Sequence, residues 1–326
     1  MALTAGRVPR RTLALTSVLV TAAVAASLAT AKPESPSASG SGEASAAVTS
    51  TSWAHTASGA LVQVTPTHYP TPLHPETLTH PDADDMGSGL AAMQLTSAAV
   101  NLQSPPVAPK VTPNVVPKGP VGIDISSNQK PLDWAKVAPH VDFVYAKATE
   151  GTYYTNPEFD NEYEGPYDYG IIRGSYHFAI PNNSSGTAQA DYFVAHGGGW
   201  SSDGKTLPGA LDIEYNPYGP VCYGLTQAQM VNWIKNFVTE YAAREHAFPV
   251  IYSTTNWWKT CTGDSAAFAG EDPFWVANYG ASSGGPLPDG WAYYSFWQFA
   301  DAGAQPGDQD VFNGAYAQLK VLAGNG

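Results

Sequence analysis

Two carboxylates stand one residue apart in Ala210-Leu211-Asp212-Ile213-Glu214. On a β-strand, residues two apart project to the same face, so Asp212 and Glu214 point together while Leu211 and Ile213 meet the opposite layer. Like charges held that close push one pKa upward. One group then stays protonated as an acid while the other ionises, the division of labour that cleaves a glycosidic bond. The pair by itself is equally compatible with a structural role, but other strand-like runs also end in acids. Asp124 lies in Gly122-Ile123-Asp124-Ile125-Ser126, Glu150 follows Lys147-Ala148-Thr149, and Asp308 and Asp310 flank the last run. In a barrel the C-terminal strand ends converge on one face, so these acids would ring a single pocket.

Aromatic and amide side chains fall at the same places: Tyr145, Tyr176, Tyr215, Trp275, Tyr279 and Trp297-Gln298. Sugar rings present flat C–H faces that stack on aromatic surfaces, while amides and acids bind their hydroxyls. An acidic, aromatic-lined cleft is therefore expected to take a glycan. His177 is expected to be hydrogen-bonded behind the site rather than to hold a metal. No Gly-x-Ser-x-Gly turn, His-Glu-x-x-His helix or Cys-x-x-Cys pair is present, and neither metal nor cofactor is expected.

Eight short β-rich runs would position these groups: Gly122 to Ile125, Asp142 to Ala146, Ile171 to Phe178, Gly209 to Ile213, Pro249 to Ser253, Pro273 to Tyr279, Tyr294 to Phe299 and Asp310 to Phe312. Several are almost continuously apolar, as in Phe143-Val144-Tyr145-Ala146, which suits strands of a parallel sheet buried on both faces. Between them, Met230, Ile234, Phe237, Val238 and Tyr241 recur at helical spacing, so a helix is expected from Thr226, its N-cap, to about His246. Weaker helical patterns cover Thr187 to Ala195, Leu132 to Ala138 and Tyr316 to Leu322, and none is evident between Trp275 and Trp297. Alternation of this kind implies an α/β fold, a closed eight-strand barrel with fewer than eight helices. An open doubly wound sheet is the runner-up, but the first strand lacks a glycine-rich phosphate loop.

The ends of the chain read differently. Arg7, Arg10 and Arg11 precede an apolar run from Leu13 to Leu28 and then Ala29-Thr30-Ala31, so residues 1–31 are expected to be a secretory signal peptide. Lys32 to Lys118 is dominated by Ala, Ser, Thr, Pro and Gly, and is expected to be a disordered pro-segment or linker. Residues 119–326 are long enough for one barrel-sized domain. The formal charge is 15 minus 28, or −13, and removing three arginines makes the exported chain −16. That acidity argues against nucleic acid as partner. No later stretch approaches a membrane span, so the expected product is secreted and free of the membrane once the leader is removed, and it is expected to be a monomer. Cys222 and Cys261 are expected to form a disulfide in an oxidising compartment.

The ordered motifs Gly122-Ile123-Asp124-Ile125-Ser126 with Gln129 and Trp134, Phe143 to Gly151, Gly174-Ser175-Tyr176-His177-Phe178, Leu211-Asp212-Ile213-Glu214 and Asp308 to Gly314 together resemble the glycoside hydrolase family 25 lysozymes, the Chalaropsis-type muramidases. The resemblance covers nearly all of Val121 to Leu322. It implies a flattened, irregular β/α barrel that cleaves the β-1,4 bond between N-acetylmuramic acid and N-acetylglucosamine in peptidoglycan. It makes Glu214 the general acid and Asp212 the group that stabilises the reacting centre, either by orienting the substrate's N-acetyl group or as nucleophile. Asp124 and one of Asp308 and Asp310, of which Asp308 is favoured, would line the subsite, with Tyr176 near the transferred sugar. The chain departs from the pattern at Lys130-Pro131, where the family often has a glycine. A chitinase-like hydrolase would carry a longer acidic run before its glutamate than Pro208-Gly209-Ala210-Leu211 supplies. A catalytically inactive glycan-binding module would be expected to lack Asp212 or Glu214.

Overall fold

Each of the eight expected runs forms a strand, and their hydrogen-bond partners close them into a ring. A computed structural model describes residues 52–55, 61–64, 85–88, 90 and 117–324 of the chain. The expected signal peptide (1–31) and the rest of the 32–118 segment lie outside the described residues. The chain divides into two units, Met1–Gln63 and Val64–Gly326. Strands β1 (Ser52–His55) and β2 (Leu61–Val64) pair as a small sheet.

The barrel strands are β3 (Val121–Ile125), β4 (Phe143–Glu150), β6 (Ile172–Phe178), β7 (Ala210–Asp212), β8 (Val250–Ser253), β9 (Phe274–Ala277), β10 (Phe296–Ala300) and β11 (Asp308–Phe312). They run in the order β3-β11-β10-β9-β8-β7-β6-β4, and a β3–β4 pairing closes the ring. Two-residue β5 (Tyr154–Thr155) adds to β4 outside it. All ring pairings are parallel except those of β11, which is antiparallel to β10 and β3. The last strand thus departs from the expected parallel sheet for a local reason. Residues 301–307 are too few for the crossover that a parallel strand needs, so β10 and β11 form a hairpin.

Six α-helices are found among the described residues: α1 (Trp134–Val137), α2 (Phe159–Asp168), α3 (Gly186–Phe193), α4 (Gln227–Glu245), α5 (Thr255–Thr262) and α6 (Tyr316–Leu322). The Thr226 side chain caps α4 as expected, and His246 ends it in the left-handed conformation. The sequence reading missed α2, whose Gly165 and Pro166 read as breakers, and α5, which is short and carries two adjacent tryptophans. The expected Cys222–Cys261 disulfide is formed, tying the loop after β7 to α5.

Strand alternation sorts the core into two layers. Leu211, Ile213, Ile251 and Phe274 face outward toward Trp233, Phe237 and Trp258. Tyr145, Tyr176, Ala210, Tyr252, Trp275 and Phe296 fill the barrel interior. Gly174 makes room for this column, since a Cβ there would lie 2.4 Å from the Tyr145 ring.

Candidate active site

Asp212 is the last residue of β7 and Glu214 follows two residues later, so both carboxylates rise at the C-terminal end of the barrel. The ladder continues past the strand, because Ile213 N–H donates to Tyr252 O (3.1 Å), and this holds Ile213 outward between the two acids. Asp212 is 0% and Glu214 1% exposed. Neither Asp212 oxygen has a hydrogen-bond partner among the described residues. Burial lifts the Asp212 pKa well above the usual carboxylate range. The charges of Glu214, Asp124 and Glu150 add to the rise, and the Lys147 ammonium opposes it. A buried carboxyl facing a second acid is costly in a fold, and groups perturbed in this way cluster at functional sites.

Across the barrel mouth, register sets three aspartates against one another. Asp308 of β11 pairs with Asp124 of β3, and Asp310 lies two residues deeper on the same face. Gln298 Nε2 donates to Asp124 Oδ2 (2.8 Å) and to Asp308 Oδ2 (2.9 Å). Its Oε1 accepts from Tyr252 Oη (2.6 Å) and Tyr279 Oη (2.7 Å). One amide thus ties four strand ends together. Burial lifts Asp124 to about 7, against the bonds it accepts from Gln298 and Asp310. Burial and the neighbouring Asp124 hold Asp310 well above the carboxylate range. Asp308 is also raised, first by burial and then by Asp124. Of the two aspartates in the last motif, Asp308 is half-buried at the mouth, whereas Asp310 sits below it, accepting from Trp275 Nε1 (3.0 Å).

The structure therefore gathers Asp124, Asp212, Glu214, Gln298, Asp308, Tyr176 and Tyr279 at one end of the barrel. Tyr215 stands beside them, its hydroxyl accepting from Thr254 Oγ1 and Asn256 Nδ2, and with Tyr279, Asn256 and Asn278 it lines an adjoining cavity of about 270 Å³.

Four residues expected to touch substrate are placed elsewhere. Tyr145 and Trp275 lie inside the barrel, and the Tyr145 hydroxyl donates to Pro208 O, before the start of β7 and far from the mouth. Trp297 faces the outer layer, its Nε1 donating to Asn278 O, because neighbours on a strand point to opposite faces and Gln298 points in. Glu150 is fully engaged: Oε2 accepts from Lys147 Nζ (2.7 Å), and Oε1 from the Tyr153 and Tyr218 hydroxyls (2.6 Å each).

His177 accepts or donates at both ring nitrogens, to Thr149 Oγ1 (2.7 Å) and Gln189 Oε1 (2.9 Å), and burial lowers its pKa to about 3. It is a neutral structural imidazole, and no group of three or more potential ligands for a metal occurs among the described residues. The sequence reading missed Tyr252 and Lys147. Tyr252 had a readable signal, a hydroxyl at the inward position of an apolar strand. Lys147, 1% exposed, had another, a cation following directly on the apolar run Phe143–Ala146.

One further stretch touches the acids. Gly87 N–H donates to Glu214 Oε1 (2.7 Å), Leu90 N–H to Glu214 Oε2 (3.2 Å) and Met86 N–H to the Tyr176 hydroxyl (3.3 Å). It is this stretch, from outside the barrel, that completes the burial of the pair.

A barrel that raises a same-face Asp and Glu from one strand end, with more acids on the facing strands, has the catalytic architecture of a carboxylate-pair glycoside hydrolase. The chain belongs to the glycosyl hydrolases family 25, whose family model matches residues 123–308. It is 44% identical over 277 residues to Lysozyme M1 of Streptomyces globisporus, an alignment covering 83% of this chain and 92% of that protein. It is 48% identical over 207 residues to the N,O-diacetylmuramidase of Chalaropsis sp., covering 62% of this chain and 98% of the relative. Among solved structures it is similar to a muramidase from Acremonium alcalophilum, with 54% identity, TM-score 0.62, and 63% and 99% of the two chains covered. The protein is a glycoside hydrolase. No helix among the described residues is long and apolar enough to cross a membrane.

Proposed function

We propose that the chain is a secreted, monomeric lysozyme in which residues 119–326 form the catalytic domain and residues 1–31 direct export. It hydrolyses the β-1,4 bond between N-acetylmuramic acid and N-acetylglucosamine in peptidoglycan. The observation that carries the reading is the Asp212–Glu214 pair at the end of β7, with Asp212 buried and without a hydrogen-bond donor among the described residues. Glu214 gives its proton to the glycosidic oxygen as the bond breaks. Asp212, across the same sugar, stabilises the positive charge that develops at the reacting carbon, a role that needs it ionised once substrate displaces the apolar surroundings. Asp124 and Asp308, linked by the Gln298 amide, bind hydroxyls of that sugar, and Tyr176, Tyr215 and Tyr279 offer flanking surfaces. The names of the relatives, lysozyme and N,O-diacetylmuramidase, support this substrate. A glycan chain is uncharged at its rings, so an acidic cleft does not repel it.

The test is Glu214→Gln, which keeps size and polarity and removes the transferable proton. Loss of the acid is expected to lower release of reducing sugar from purified cell walls by at least about 10²-fold, the range general acid catalysis supplies. The variant should still unfold cooperatively from a folded state, although one of the two N–H donors on Glu214 loses its acceptor. Undiminished release, or faster release from chitin than from peptidoglycan by the parent chain, would overturn the assignment.

A further inference from the structure

The residues that seal the catalytic acids belong to a segment some thirty residues ahead of the barrel. Asp85 O accepts from Ser88 N–H (3.0 Å), which closes a turn whose third residue is Gly87 with φ +89. A turn with that φ at its third position favours glycine. The turn crosses the barrel mouth from one wall to the other. At the β3 side, Asn128 Nδ2 donates to Asp85 Oδ2 (3.1 Å). In the middle, the Met86 side chain, 1% exposed, packs on top of the interior column above Tyr176 and Tyr252. Gly87 N–H and Leu90 N–H occupy the two Glu214 oxygens. At the far side Leu90 borders the cavity lined by Tyr215 and Tyr279.

The Glu214 carboxylate and the Tyr176 hydroxyl are therefore already taken by backbone N–H groups of the turn. Two N–H donors on Glu214 fix it as an acceptor and leave neither oxygen turned to a leaving group. Met86 fills the volume above the barrel core, and Asp212 beneath it has no hydrogen-bond donor among the described residues. The backbone approaches closely because Gly87 has no side chain. A Cβ there would overlap the Tyr279 hydroxyl and lie 3.3 Å from Asp308 Oδ2.

We propose that residues 85–90 are an intramolecular inhibitor, a turn that takes the place of the reacting sugar ring until the chain is cut between Leu90 and the barrel. The proposal rests on the hydrolase reading above for the identity of what it displaces. The geometry also states why cutting is needed. While the turn belongs to the same chain as the barrel, its effective concentration at the site is on the order of millimolar, and a dilute substrate cannot displace it. Once cut, the N-terminal fragment that carries the turn is no longer held at the site and is diluted away.

The full-length exported chain is compared with its Gly87→Val variant, which strains the turn and collides with Tyr279 but alters no residue of the barrel. The variant is expected to release reducing sugar from peptidoglycan at least about tenfold faster than the parent, because the fraction of molecules with an open site limits the parent. Limited proteolysis of the parent within residues 91–116 should raise its rate to that of the variant. A second readout needs no catalysis: Met86 should resist dilute hydrogen peroxide in the parent and react as a free methionine in the variant. Equal wall-cleaving rates for parent, variant and cut parent, with Met86 equally reactive in parent and variant, would overturn the inhibitor. Protection of Met86 that the substitution abolishes, with no sugar released by any form, would instead sink the muramidase reading and leave the seating of the turn standing.

Discussion

The barrel is backed on one side by helices and on the other by loops, and both sides bury their strands. Around β6 to β8 the outer layer is helical. On α4, Trp233, Phe237 and Tyr241 stack at four-residue intervals, with ring centroids 5.9 and 6.5 Å apart, and Phe193 of α3 joins them. Between β9 and β10 no helix intervenes, and aromatic rings from the connecting loop take its place. Trp291 meets Phe274 of β9 at 4.7 Å and Trp258 of α5 edge-on at 5.2 Å, while Tyr294 meets Trp297 of β10 at 6.2 Å. Indole N–H groups anchor these rings to backbone carbonyls, Trp291 to Asp272 O (2.9 Å) and Trp297 to Asn278 O (3.0 Å). What the outer face of a strand requires is apolar volume with its polar tips satisfied; a helix is one way to supply it. The division also maps onto the site. The acid pair stands on the helix-backed β7, whereas Gln298 and Asp308 come from the loop-backed hairpin.

The comparison breaks most sharply at Trp291. If the loop truly replaces a helix, Trp291→Ala should cost about 3–5 kcal/mol, as for a large aromatic in any core. Equilibrium unfolding in urea measures it. A loss under about 1 kcal/mol would mean that the loop merely lies on the barrel and that β9 is held by its neighbours alone.

Each side also buries an acid, and pH sharpens the contrast. On the helical side Glu162 of α2 is pushed up to about 7 by burial, against one bond from Asn156 Nδ2 (2.6 Å). On the loop side Asp272 rises to about 8, by burial and then by Glu271. Both are carboxyls with raised folded-state pKa, so between the unfolded and folded values the unfolded chain has lost a proton that the folded one keeps. Stability is then greatest below about pH 4 as far as these two groups decide it. It falls as pH rises, up to about 7 for Glu162 and about 8 for Asp272, by on the order of 3 kcal/mol for the first and about twice that for the second, whose shift is larger. Glu162→Gln should remove the part of the fall that ends near pH 7, and Asp272→Asn the part that extends to 8. Unfolding profiles of both variants parallel to the parent's from pH 4 to 8 would show that neither acid keeps its proton.

The fold was legible where burial on two faces leaves continuous apolar runs, which is why all eight ring strands could be read, and where helical periodicity is long, as in α4. It was not legible in α2, where Gly165-Pro166 reads as a break although it lies in the last turn, nor in the reversed direction of β11, which loop length rather than composition determines. At the site, period-two spacing revealed Asp212 with Glu214. The same rule should have excluded Trp297 once Gln298 was placed inside. Depth along a strand has no sequence signal, so Tyr145 and Trp275 could not be told from residues at the mouth. Glu150 could not be told from a free acid because its partners Tyr153 and Tyr218 come from loops. The turn at Asp85–Ser88 was invisible for the same reason, its partner Glu214 lying 127 residues from Gly87.

The smallest effect concerns Lys130-Pro131, one of two places, with the Asp308/Asp310 choice, where the chain departs from the family pattern. Lys130 adopts φ 59 and ψ 177, a region that glycine enters freely and side chains enter only under strain, at the end of the 3₁₀ turn Ser127–Gln129 that follows β3. Its N–H donates to Ser127 O (3.2 Å), so the turn itself holds the conformation. The Lys130 side chain is exposed. Pro131 adds to the strain, because the residue before a proline is pressed toward extended backbone at negative φ. Lys130→Gly should relieve this and raise stability by about 1 kcal/mol, net of the extra freedom glycine gives the unfolded chain. Because this turn carries Asn128, the partner of Asp85, the helical and loop-backed sides should respond alike in hydrogen exchange if the gain is purely local. A variant less stable than the parent would mean that contacts of the Lys130 side chain outweigh the strain of its backbone.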